Sequence, residues 1–107
     1  MLSKAILSVR AVVPEADREA FDIWYRDEHL RDAVVAFGAD RAWRGWSTVD
    51  PGVHVAFYEF SDPSSATTIL DSEALKGLVA EFDRVWQERV PRSREVVHCI
   101  DECTPES

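Results

Sequence analysis

The sequence predicts an α+β domain of the βαββαβ, ferredoxin-like type: a four-stranded antiparallel sheet with two helices on one face. Three observations carry this. Four stretches alternate apolar and polar residues with period two. Two stretches between them repeat apolar residues at helical spacing. A tight Asp50-Pro51-Gly52 turn joins the middle two strands into a hairpin.

Leu2 to Val13 reads as the first strand. Ala5, Leu7, Val9, Ala11 and Val13 form one apolar face, and Lys4, Ile6, Ser8 and Arg10 form the other. Pro14 suits a helix start, and Glu15 and Asp17 complement a helix N-terminus. A helix is expected from Glu15 to about His29. Phe21, Tyr25 and His29 share one stripe, and Asp22–Arg26 and Asp27–Arg31 are spaced to pair on its wet side. A short irregular or helical piece then ends at Gly38, a left-handed stop.

Arg41 to Val49 is the second strand and Val53 to Phe60 the third, with Gly52 available for positive φ in the turn between them. Asp62 can cap and Pro63 can open the next helical region. A second cap signal, Asp71-Ser72-Glu73, breaks it. Leu75, Leu78, Val79, Phe82, Val85 and Trp86 make the clearest amphipathic helix, closed by Pro91. Arg94 to Ile100 is the last strand, and a polar tail follows.

The 107 residues, 46% of them hydrophobic, suffice for one domain spanning 1–107. The sheet face away from the helices keeps apolar side chains, so a homodimer joined by that face is expected. A net charge of −8 argues against nucleic acid and anionic membrane as partners, since both require a basic surface. The N-terminal residues lack a signal peptide's apolar core and cleavage site. No apolar run reaches membrane-spanning length, and the expected compartment is the cytoplasm. Cys99 and Cys103 form neither a CxxC pair nor a zinc-type cluster, and read as a strand thiol and a tail thiol.

The stretch Phe21 to Leu30, the entry Phe37 to Trp46 and the helix Leu70 to Trp86 resemble the dimeric α+β barrel superfamily. Trp24, Tyr25, Glu28, His29 and Leu30 match a W-Y-x-x-[EV]-H-[LP] signature found in its EthD-like group. The resemblance spans nearly the whole chain. It implies a homodimer whose two sheets close into a barrel. The superfamily holds cofactor-free oxygenases, lactone isomerases, cyclases, decarboxylases and haem-degrading enzymes, so fold does not choose a reaction. By this resemblance His29 and His54 occupy the places of a histidine pair used by a lactone-isomerase member. The proline-bearing phrase usual after the histidine is absent from Leu30 to Gly38.

His29 is the leading candidate for catalysis, because imidazole exchanges protons near neutrality and Tyr25 lies one turn before it. The alternative is a helix-end histidine interacting with the helix dipole. His54 and Tyr58 share one face of the third strand, and His98 reads as a core or interface residue. Trp24, Arg41, Arg44, Trp46 and Tyr58 are candidate substrate-binding residues. Either arginine could instead serve an interface salt bridge, and either tryptophan could be core or interface packing. Trp43 and Trp46 face opposite sides of their strand. Glu59 reads as an edge charge or a buried base. No HxH or HxxxH spacing supports a metal site, and no Gly-rich loop, nucleophile elbow or Rossmann signature calls for a cofactor. The expected function is a cofactor-free enzyme acting on a small hydrophobic cyclic molecule such as a lactone, quinone or polyketide-like aromatic. The alternative is a dimeric protein that binds a small ligand without catalysis.

Overall fold

The computed structural model describes residues 4–106. Four strands, β1 (Ala5–Val12), β2 (Arg41–Trp46), β3 (Val53–Phe60) and β4 (Arg92–His98), form one antiparallel sheet in the order β2-β3-β1-β4. The helices are α1 (Arg18–Trp24), α2 (Leu30–Phe37), α3 (Pro63–Ile69) and α4 (Glu73–Trp86). This is the ferredoxin-like α+β arrangement, with each helical region subdivided.

The register decides which side chains meet. Leu7 stands opposite Tyr58 and Val96, Val9 opposite Ala56 and Arg94, and Ala11 opposite His54 and Arg92. Side chains alternate along each strand. The helix-covered face therefore carries His54, Ala56 and Tyr58 of β3, and Arg92, Arg94 and Val96 of β4. The opposite face carries Ser8, Arg10, Trp43, Val55 and Phe57. There Trp43, 38% exposed, stacks on Phe57 at 5.6 Å between ring centroids, and Arg41 covers Trp43.

Several boundaries differ from the sequence reading. Leu2 and Ser3 lie outside the described residues. The first helix does not stop at His29. A short 3₁₀ turn (Glu15–Asp17) leads into α1, a π-helical turn spans Tyr25–His29, and α2 carries the same axis on to Phe37. The Leu30 N–H reaches back five residues to the Tyr25 carbonyl. His29 is thus an internal residue, and the helix-end role for it is withdrawn. The true end is Gly38, at φ 66°.

β2 ends at Trp46, three residues early, because the Ser47 hydroxyl accepts from the N–H groups of Val49 and Asp50 and folds the chain locally. Gly52 does not use positive φ. Its requirement is space: an added Cβ would lie 2.8 Å from Arg18 Nη2 and 3.2 Å from the Val13 carbonyl. The two cap signals hold, with Asp62 accepting from Ser64 N–H and Ser72 from Leu75 N–H. α4 stops at Trp86 rather than at Pro91, by a turn through Gln87 at φ 57°. β4 begins two residues earlier than expected, where the Pro91 carbonyl accepts from Val12 N–H and continues the ladder. No helix among the described residues is long and apolar enough to cross a membrane.

Candidate functional site

Phe21, fully buried on α1, sits among the rings of Trp24, Tyr25, Trp46, His54, Phe82 and Trp86. This aromatic cluster fastens the first helical region to the sheet and to α4. The π-helical turn beside it widens the helix by one residue, which lets side chains five apart lie one above the other. Trp24 and His29 do so, stacked at 4.4 Å with planes 18° apart. The Tyr25 and His29 rings meet nearly perpendicular at 4.9 Å between centroids, and the Tyr25 ring lies 4.6 Å from that of His54.

The Tyr25 hydroxyl reaches the sheet, 2.9 Å from the Tyr58 hydroxyl, with both side chains buried. Beside this pair is a cavity of about 20 Å³, enough for one water-sized group. Tyr25, His29 and Tyr58 line it together with Arg92, Arg94 and the apolar flank of α4. His29 is 7% exposed, and its Nδ1 is buried with no hydrogen-bond partner among the described residues. Arg94 has no ion pair or side-chain hydrogen bond among them. Arg92 donates to Asp83 at 2.6 Å and covers the Phe82 ring at 3.8 Å.

These surroundings set the charge states. Burial, and then the nearby Arg92, lower the His29 pKa to about 4, with Glu81 opposing. His29 is therefore neutral at pH 7. Burial pushes the Tyr25 phenol up to about 12, and it raises Tyr58 further still. Both remain protonated donors.

A second polar group braces the site. Asp22 Oδ1 accepts from Arg44 Nη1 at 2.8 Å and from Trp46 Nε1 at 2.9 Å. Those two bonds hold its carboxyl below the usual range. Arg44 Nη1 also lies 3.2 Å from His54 Nε2. A guanidinium only donates, so His54 accepts through Nε2 and a neutral ring carries its proton on Nδ1. Burial, then Arg44, lower the His54 pKa to about 4.

His29, Tyr25, His54, Trp24, Arg44, Trp46 and Tyr58 thus meet in one continuous cluster. Arg41 does not join it. It stands on the opposite face of the sheet, bonded to Glu59 at 2.9 Å, and Lys4 lies 3.6 Å from the same carboxylate. The expected Asp22–Arg26 pair is not formed: Asp22 turns to Arg44, and Arg26 bonds Asp27. His98 is exposed, with Nε2 3.2 Å from the Thr67 hydroxyl, and is not a core residue. Arg92 and Arg94 were not singled out from the sequence. Arg92 fell outside the expected strand, which began at Arg94, and Arg94 stood at its first position. Among the described residues no group of three or more His, Cys, Asp or Glu side chains could hold a metal ion.

No family model and no curated protein matches the chain. Solved structures do. SnoaB, a cofactor-independent oxygenase from Streptomyces nogalater, aligns with a TM-score of 0.66 at 12% identity, over 96% of this chain and 98% of its own. The likeness is to the ferredoxin-like α+β fold. A Nitrosomonas europaea protein provisionally assigned as an antibiotic biosynthesis monooxygenase aligns at 0.65 and 18% identity, over 94% and 93% of the two chains. A NIPSNAP family protein of unknown function from Agrobacterium tumefaciens aligns at 0.66 and 12% identity, over 92% and 89%. At such identities the likeness is one of fold, and fold alone does not choose a reaction.

Proposed function

We propose that the chain is a small-molecule enzyme working without an organic cofactor on a small, apolar, cyclic compound of lactone, quinone or polyketide-like type. The observation that carries this reading is the neutral, buried His29, whose Nδ1 has no partner among the described residues beside a cavity walled by two phenols and two arginines. His29 is the proton acceptor, and Arg92 and Arg94 favour negative charge developing on the substrate. A base of such low pKa takes a proton from an enol, a phenol or a carbon flanked by carbonyls only where the arginines stabilise the anion left behind. Tyr25 orients His29 and the substrate, and Arg44 holds His54 neutral behind Tyr25.

The space between these walls admits one small group. The body of a larger substrate requires Leu75, Leu78 and Val79 of α4 to move aside. The likeness to a cofactor-independent oxygenase supports the enzyme class. The Trp24-Tyr25-x-x-Glu28-His29-Leu30 signature supports an EthD-like placement, and the apolar open sheet face supports a homodimer.

A thermal-shift screen of the wild type and His29→Ala against lactones, quinones and hydroxylated aromatics tests this reading. A compound that stabilises the wild type and not the variant is expected. Compounds that stabilise both proteins equally place the ligand elsewhere. A compound that binds at His29 but is recovered unchanged favours the second reading, a non-catalytic ligand-binding protein.

A further inference from the structure

We infer that the Tyr25–Tyr58 hydroxyl pair and Arg94 form an oxyanion site that takes a single ionised oxygen, that of a phenol or enol, in preference to a carboxylate. This rests on the cavity being the ligand site, as proposed above.

The hydrogen-bond count comes first. Each phenol has one O–H to donate. Their mutual bond uses one of the two, and neither hydroxyl has another partner among the described residues. One O–H donor is therefore left over beside the cavity. The positive charge comes second. Arg94 lines the same cavity without an ion pair among the described residues, whereas Arg92 is shared with Asp83.

The lining itself is neutral or positive, and the two nearby carboxylates of α4 stand outside it: Glu81 acts on His29, and Asp83 is paired with Arg92. The helical region contributes Tyr25 and neutral His29, β3 contributes Tyr58, and β4 contributes the two arginines. α4 contributes the apolar Leu75, Leu78, Val79 and Phe82. Among the described residues no carboxylate lines the cavity. Size comes third. The space beside the donors, about 20 Å³ with α4 in place, matches one oxygen, and a carboxylate needs room there for a second. Charge-assisted bonds from a phenol and a guanidinium then favour the ionised form of the bound group.

The test is 4-nitrophenol, whose anion absorbs visible light and reports its own ionisation. It is titrated against the wild type, Tyr25→Phe, Tyr58→Phe and Arg94→Gln across its solution pKa, with 4-nitrobenzoate as competitor. The two Phe variants keep the buried ring, and their melting points check that they remain folded. Bound nitrophenol is expected to shift roughly tenfold or more toward the anion, its proton passing to buffer. That preference should fall in all three variants, and nitrobenzoate should compete poorly. Nitrophenol bound with unaltered ionisation, or displaced readily by nitrobenzoate, overturns the oxyanion site and leaves the ligand cavity standing. If nitrophenol fails to bind at all, the oxyanion site is also overturned. Whether the cavity reading falls with it is read separately, from the lactone and quinone screen.

Discussion

Trp24 and His29 lie face to face, five residues apart, with their ring planes 18° from parallel. An unbroken α-helix would set residues four apart in register instead. The stack is a product of the π-helical turn at Tyr25–His29, a feature often found at functional sites. Trp24→Leu removes the stacking face while keeping an apolar side chain. The unfolding free energy is expected to drop by about 1–2 kcal/mol, measured by denaturant titration. The His29 pKa should rise toward its ordinary value as water gains access.

Phe21 has no exposed surface and touches rings from α1, β2, β3 and α4. Phe21→Ala is expected to cost about 3–5 kcal/mol. A loss below about 1 kcal/mol in denaturant unfolding would mean the cluster is not the anchor described.

Asp22 satisfies both Arg44 and the Trp46 N–H. Asp22→Ala strands a largely buried guanidinium and an indole donor. The carboxylate is partly exposed, so the expected cost is about 1–2 kcal/mol rather than that of a fully buried pair. Asp22→Asn, which can still accept, should recover part of it in the same unfolding measurement.

Acid should destabilise the fold through two histidines. His29 and His54 have folded pKa values lowered from 6.5 to about 4. Between those values the unfolded chain binds more protons than the folded one, so stability rises with pH across this window. It is fully present above about pH 6.5 and is lost as pH falls through 4. Melting points followed from pH 7 to 4 should therefore decline. The decline should be shallower in His29→Gln, and equal slopes in the two proteins would count against a buried neutral His29.

The open sheet face carries Trp43, Val55 and Phe57 together. Sedimentation of the wild type is expected to give twice the chain mass, and Phe57→Glu a monomer that keeps its helical and sheet content. A monomeric wild type at micromolar concentration would remove the homodimer from the proposal.

The strand faces, the hairpin and the two side-chain caps were legible because each rests on local chemistry: period-two alternation, Asp50-Pro51-Gly52, Asp62 and Ser72. The grouping of Tyr25 with His29 was legible from helical spacing. The π-helical turn was not, since one extra residue in a helix leaves no compositional mark. Ser47's capture of two backbone N–H groups was equally silent, and it shortened β2. Arg92 and Arg94 enter the site only through the register of β4 on β1, a long-range fact. Asp22 had a local partner available in Arg26, and the sheet provided a better one in Arg44.

The most direct test is an NMR titration of the histidine ring signals, assigned with His29→Gln, in the free protein and with the best compound from the screen. His29 is expected to titrate near pH 4 in the free protein and to change its signal when the compound binds. A His29 that titrates near 6.5 and ignores every ligand would contradict a buried, ligand-facing histidine.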